Sequence, residues 1–324
     1  MPGLTANAAW GMVLTMPGIG IIHNPFARGN LTRPRVAERL RRILGNEGIV
    51  VETRNIHELP AVAESFLRDG IEIIAVNGGD GTLHLTLSAL ISVYGDRPLP
   101  KLLSLRGGTM NTMSTSLKLK GATLDICARA VERYRQGAEF ELLDQPLVRL
   151  NDKYGFMTGA GLATNFLEAY YSGTNTGPIE GAKIVAKAVV SAVTRTEYAK
   201  KLFSLAQADI EVDGETVPFQ EFTAVLGCSI VEIGLGFKVT PRAYDQPGHF
   251  QFWATRLSPL AVVPILHRFY QGKDIIHPDF FNRLAKRVEI RPKGKFRYTI
   301  DGELYDTQEP VVISAGPVIK VVKI

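Results

Sequence analysis

Val76-Asn77-Gly78-Gly79-Asp80-Gly81-Thr82 stands between a short apolar run and the helix-like stretch Leu83 to Val93. Three glycines in four positions carry a high cost in backbone entropy, so the turn needs either unusual φ/ψ angles or very close approach by another group. Phosphate is the natural group. The bare amides of a glycine-rich turn, aimed outward where a helix begins, form a ready anion site. Asp80 repels phosphate, so it belongs there only if it binds a cation such as magnesium or holds the turn by accepting amide hydrogen bonds. A plain left-handed turn between strand and helix would need only one or two of these glycines.

Outward from this turn, short apolar runs alternate with longer amphipathic ones from about Gly18. Ile19 to His23, Ile49 to Thr53, Ile71 to Val76 and Lys101 to Leu105 read as strands, each leading into a polar or glycine-containing turn and then a helix. Such units predict a doubly wound, mostly parallel sheet with helices on both faces and ligands at the carboxyl ends of its strands. Two further turns fall at that edge. One is Leu105-Arg106-Gly107-Gly108-Thr109-Met110-Asn111; the other is His23-Asn24-Pro25-Phe26-Ala27-Arg28-Gly29, where Pro25 stiffens the exit and Asn24 offers both donor and acceptor. Taken singly the Asn-Pro turn is only a turn; together the three face one ligand.

Beyond about Phe140 the pattern changes to longer alternating runs with hairpin signals. Ile210 to Val212 leads into Asp213-Gly214, and Phe296 to Ile300 leads into Asp301-Gly302. Residues 18–140 therefore read as an α/β domain and 141–324 as a mostly antiparallel, β-rich one. Two apolar helices, roughly Ile179 to Val193 and Pro259 to Tyr270, raise the possibility of a membrane surface, but packing against a sheet is the expected arrangement. Arg291, Lys293, Lys295 and Arg297 alternate along what reads as one strand, the pattern of a solvated edge.

Composition excludes several classes. With 45% hydrophobic and 21% charged residues over 324, the chain is ordinary globular protein large enough for two cores. No stretch reaches the roughly 18 to 20 apolar residues needed to span a bilayer. The opening MPGLTANAAWGMVLTMPG lacks the basic region of a secretory signal and reads as a leader before the first strand. Only Cys127 and Cys228 are present, which fits a reducing, cytoplasmic setting and rules out a cysteine-built metal site. The net charge of +5 favours phosphates or an anionic membrane surface, and no interleaving of aromatic and basic residues marks a nucleic-acid platform. GxxxxGK[ST], HExxH and GxSxG are all missing from the sequence.

Asn24-Pro25, Gly78-Gly79-Asp80-Gly81-Thr82 and Gly108-Thr109-Met110-Asn111, in this order and spacing, resemble the catalytic domain of the diacylglycerol kinase and sphingosine kinase superfamily. The likeness continues through Leu143-Asp144 into Phe156 to Leu162 and through Asp301-Gly302-Glu303, covering most of the chain from Gly18. It implies the architecture shared with NAD kinases, with ATP in the cleft between two domains. By this resemblance Asn24, Thr53, Gly78, Gly79, Asp80, Gly81, Thr82, Gly108 and Thr109 line the nucleotide, Asp80 contributes to magnesium, Asp301 is the catalytic base and Glu303 its neighbour. The implied acceptor is a lipid such as diacylglycerol or a sphingoid base, met during transient association with a membrane; a homodimer is left open.

Asp213-Gly214-Glu215 repeats the triplet of Asp301-Gly302-Glu303, and spacing alone does not choose between them. The position before the final strands, as in the family, favours Asp301, and Asp213 reads as an ordinary hairpin turn. Departures from the family are His84-Leu85 where bacterial lipid kinases usually carry Asn-Glu, Thr112 where Asp is frequent, and Arg28 where Gly is common. An acidic contribution to a metal network is thereby lost. A lone His84 in the first turn of a helix reads more readily as a packing or capping residue than as a phosphate ligand. NAD kinase is the nearest alternative enzyme, but the Asn-Asn-Glu or Asn-Asp-Glu triplet of those enzymes is missing; a nucleotide- or lipid-binding regulator without turnover is the alternative of another class.

Overall fold

The computed structural model describes residues 18–173 and 177–324. The leader read over residues 1–18 lies outside them except for Gly18. Ile19–His23 and Ile73–Asn77 are buried along their whole length, as continuous apolar runs in the middle of a parallel sheet must be. Ile19–His23 pairs in parallel with Gly48–Glu52 on one side and Ile73–Asn77 on the other, and Ile73–Asn77 pairs in parallel with Lys101–Ser104. Gly48–Glu52 is the outermost of these strands and correspondingly exposed. Helices cover both faces of this half through two separate cores, one around Phe66, Leu87 and Phe156, the other around Leu40, Ile73 and Ala130.

A long strand, Val311–Lys323, ties this half to the rest. It joins Lys101–Ser104 by a parallel bridge at Val321 and Leu102, and runs antiparallel to Glu141–Leu150 and to Arg287–Pro292. Its register shifts between Ala315 and Val318, where Gly316 and Pro317 interrupt the ladder. Proline cannot donate to a sheet, so the break falls at a bulge. Among the described residues the sheet so formed has 11 strands, mostly parallel in its N-terminal part.

A second, six-stranded sheet is antiparallel throughout, in the order Phe280–Ala285, Phe250–Thr255, Ala224–Cys228, Met157–Gly161, Phe296–Ile300, Glu303–Thr307. One face packs on the C-terminal part of the large sheet through Phe222, Phe250, Phe252, Ile290 and Val311. Helix Pro259–Gln271 covers the other face, its Phe269 stacked on Trp253 at 5.8 Å between ring centroids. This is the expected α/β class with a β-rich partner.

Two details differ from the sequence reading. Helix Pro178–Thr194 packs chiefly on its neighbours Leu162–Tyr171, Glu197–Leu202 and Pro259–Gln271 rather than on a sheet. The basic run is also broken: Arg291 stands one residue before the end of the strand Arg287–Pro292, Gly294 turns the chain, and Arg297 is the second residue of the next strand. Each of its four charges meets an acid, Arg291 with Glu211 and Glu289, Lys293 with Asp209, Lys295 and Arg297 with Asp306. Charge pairing on the surface is thus its role. Both cysteines are free and buried, and burial pushes the Cys127 thiol up to about 11.

Candidate active site

Three turns converge at the carboxyl ends of the parallel strands, held by side chains of the turns themselves. Asn24 Nδ2 donates to Thr82 Oγ1 at 2.9 Å, while Asn24 Oδ1 accepts from the Phe26 amide at 2.9 Å. Asn30 Nδ2 donates to the carbonyls of Asn24 and Asn77 at 2.7 and 3.0 Å. Asn111 closes the second glycine turn, accepting from the Gly108 amide at 3.1 Å and donating to the Gly108 carbonyl at 3.0 Å.

The glycines are there for close approach. Gly78, Gly79, Gly81, Gly107 and Gly108 all have ordinary φ angles; in the second turn it is Arg106 and Asn111 that adopt positive φ. A Cβ at Gly107 would strike the Asn77 side chain, one at Gly108 would strike Gly79, and one at Gly29 would strike the Gly107 carbonyl. The three turns therefore pack backbone against backbone; the Phe26 and Gly108 amides are taken by Asn24 and Asn111, while those of Gly78, Gly79 and Gly107 have no partner among the hydrogen bonds of the turns. The helix also starts earlier than the sequence suggested, at Asp80, with Gly79 as its extended N-cap and no side chain capping it. Its first amides are consequently available to an anion.

Asp80 takes the second of the two roles considered for it. Its carboxylate accepts from the Thr112 amide at 3.0 Å and the Met113 amide at 3.4 Å, clamping the first glycine turn to the segment after the second. Desolvation raises its pKa, and the two amides work against that rise.

Asp301 approaches from the other half of the molecule. It is the first central residue of the turn joining Phe296–Ile300 to Glu303–Thr307, with φ of 47° followed by 92° at Gly302. Only 5% exposed, its carboxylate accepts from the Phe156 amide at 3.0 Å and the Met157 amide at 2.9 Å. Burial pushes its pKa up to about 8 despite these amides, with the Asp80 charge adding to the rise. Glu303, exposed, lies against the first glycine turn: a Cβ at Gly81 would overlap its carboxylate. Tyr171 steadies the hairpin by donating to the Gly302 carbonyl at 3.1 Å.

Asn24, Gly79, Asp80, Gly81, Thr82, Gly108, Thr109, Asp301 and Glu303 all line one cavity of about 510 Å³. Gly78 and Thr53 do not; Gly78 is buried behind the turn, and Thr53 is buried at the end of its strand, its amide donating to the His23 carbonyl at 2.9 Å. The remainder of the cavity was not legible in the sequence. Helices Leu162–Tyr171, Pro178–Thr194 and Pro259–Gln271 wall it with apolar side chains, among them Phe166, Val185, Val189 and Leu266. No spacing rule joins residues so far apart, and each looked like ordinary core. Arg28, noted as a departure, stands in the same wall.

Residues 19–140 match the diacylglycerol kinase catalytic domain, and residues 184–323 match the YegS C-terminal NAD kinase beta sandwich-like domain. The chain thus joins a diacylglycerol kinase catalytic domain to a YegS-type C-terminal domain. Three solved structures from Bacillus anthracis strain Sterne share the fold. A diacylglycerol kinase aligns with a TM-score of 0.62 at 15% identity, and two others, provisionally assigned to that activity, align at 0.69 with 16% and 0.66 with 15%; each alignment covers 95% of this chain and 97% of the other. No curated protein matches the sequence.

Within this family the departures acquire a physical account. His84 is fully buried and neutral, its pKa lowered by desolvation. Its Nδ1 meets the Tyr154 carbonyl at 2.6 Å and its Nε2 the Tyr305 hydroxyl at 3.1 Å, so it bolts the helix that begins at Asp80 to the hairpin that carries Asp301. It is a packing residue. Leu85 joins the apolar core beside it, and Thr112 gives Asp80 its backbone amide.

Proposed function

We propose that the protein is an ATP-dependent kinase that transfers the γ-phosphoryl group to the hydroxyl of a lipid. The observation that carries this reading is the single cavity in which bare turn amides, a buried carboxylate and an apolar chamber meet. Kinases of this family use ATP. A polyphosphate fits the amides of the turns after Asn24, Asn77 and Leu105 and of the first helical turn at Asp80, with Arg28 as the one cationic residue of the wall. The chamber suits an acyl or sphingoid chain, whose burial is favourable at roughly 25 cal/mol per Å².

Asp301 then acts as general base. Its carboxylate takes the proton of the acceptor hydroxyl as that oxygen bonds to the γ-phosphorus and the bond to the bridging oxygen of ADP breaks. A carboxyl raised to about 8 is ionised, and so able to take that proton, only as pH approaches 8, so the rate should rise with pH through this range. The Phe156 and Met157 amides fix its orientation and Glu303 stands at the phosphate side.

The donor set also fits a divalent cation. Asp80 and Glu303 against Arg28 leave the wall net negative beside a polyanion, and ionised Asp301 would add to it, which calls for neutralisation. Among the described residues no group of three or more His, Cys, Asp or Glu could hold a metal alone. Magnesium held mainly by the phosphates would satisfy both facts; Asp80, whose two oxygens already accept the Thr112 and Met113 amides, would reach it only through their remaining lone pairs, and the ion when bound would supply charge neutralisation to the transferring group.

Purified protein given γ-labelled ATP and magnesium should label one member of a panel of diacylglycerol, sphingoid base, ceramide and phosphatidylglycerol. Labelled NADP from NAD would replace the lipid reading with the NAD kinase one, and ATP binding without any product would leave a regulator.

A further inference from the structure

Helices Pro178–Thr194 and Pro259–Gln271 each turn one face to the cavity and a second, also apolar, to solvent. On the first helix, Val185, Val189 and Ala192 face the cavity. Positions 179, 182, 186, 190 and 193 fall on an adjacent face. There Ile179 is 73% exposed, Val190 61% and Val193 57%, with exposed Ala182 and Ala186 between them. The second helix exposes Leu260 and Tyr270, and Ile276 just beyond it is 93% exposed. The helices pack together and run antiparallel, because the turn at Leu235 and Gly236 lies against Gly181 of one and Tyr270 of the other. Their outer residues thus form one apolar surface over the wall of the chamber, of the kind that marks an interaction site.

The charges around it select the partner. Lys183 and Lys187 border the apolar face of the first helix, and residues 178–202 carry five basic side chains against two acidic ones. The second helix adds His267 and Arg268 and no acid. A second copy of the chain seated here would set these cations against each other, whereas an anionic bilayer offers acyl chains to the one set and phosphates to the other.

We propose that the outer faces of these two helices form the membrane-docking surface, inserting Ile179, Val190 and Val193 at the headgroup boundary of an anionic bilayer. The proposal rests on the lipid-acceptor reading: docked this way, the chamber is separated from the bilayer only by the helices that line it. No helix among the described residues is long and apolar enough to cross a membrane, so the contact is interfacial.

Flotation with phosphatidylglycerol/phosphatidylcholine vesicles, without nucleotide, tests it. Wild type should float with these vesicles and remain in solution with phosphatidylcholine alone, and added salt should release it. Ile179→Asp with Val190→Asp, and separately Lys183→Glu with Lys187→Glu, should each reduce partitioning about tenfold. Melting temperature, ATP binding and turnover of a water-soluble short-chain acceptor should stay at wild-type values, because none of the four residues lines the cavity. Unaltered flotation of either double variant overturns the proposal, as does wild type that ignores anionic vesicles. Conversion of a dimer to monomers with flotation unchanged would instead assign the face to a second copy. If wild type floats, the variants do not, and no acceptor is ever phosphorylated, docking stands and the kinase reading falls.

Discussion

Asp213-Gly214-Glu215 and Asp301-Gly302-Glu303 build the same turn twice. The φ angles are 48° and 88° in the first, 47° and 92° in the second. Each aspartate donates its amide to a carbonyl of the neighbouring strand, Arg287 at 2.9 Å and Met157 at 3.0 Å. Each carboxylate accepts from two consecutive amides of that strand, Lys286 and Arg287 in one case, Phe156 and Met157 in the other. Surroundings alone separate them. Asp213 is exposed and Glu215 pairs with Arg283 at the surface, whereas Asp301 is buried in the cavity wall and Glu303 lies against Gly81. The triplet encodes a turn; the chemistry comes from what the fold packs around it.

Substitution of the two aspartates is the sharpest way to break this comparison. Asp301→Asn should lower kcat by roughly 10² to 10⁴, the usual worth of a general base, while Asp213→Asn stays within about twofold. The reverse ranking would exchange their roles. Next in size is Gly81→Ala, whose added methyl displaces the Glu303 carboxylate; a loss of up to about 10² in kcat is expected from misplacement of that order. Gly214→Ala, at the other turn, meets no neighbouring atom and costs only its backbone strain, about 1 kcal/mol in a denaturation curve.

Titration sharpens the comparison further. The folded protein keeps on Asp301, up to about pH 8, a proton that the unfolded chain releases near pH 4. Its stability contribution is therefore full below pH 4 and is lost as pH rises to 8. Asparagine has no proton to lose, so the melting-temperature advantage of Asp301→Asn over wild type should grow from pH 4 to pH 8; a constant difference would contradict the buried, protonated carboxyl. As small as the Gly214→Ala effect is that of Tyr305→Phe, which removes the 3.1 Å contact with His84 and should cost about 1 kcal/mol of stability.

The parallel strands, the three turns and the hairpin of Asp301 were legible because each is a local pattern: apolar runs of strand length, glycine clusters, an Asp-Gly between alternating residues. The reason for the glycines was not, because Gly79 meeting Gly108, or Gly81 meeting Glu303, is a contact between distant segments. The partner of Asp80 was equally hidden, since a backbone amide of Thr112 leaves no mark in the residue type. The apolar chamber lay furthest out of reach, as its walls come from three helices whose inner faces have the composition of any core.

Val311–Lys323 has a consequence for how the molecule is made. The Lys101–Ser104 edge waits, unpaired, for a segment synthesised some two hundred residues later, so the N-terminal half finishes its sheet only when the rest of the chain has emerged. Because that one strand is stitched into both halves, heat or denaturant should melt them in a single transition instead of releasing one before the other.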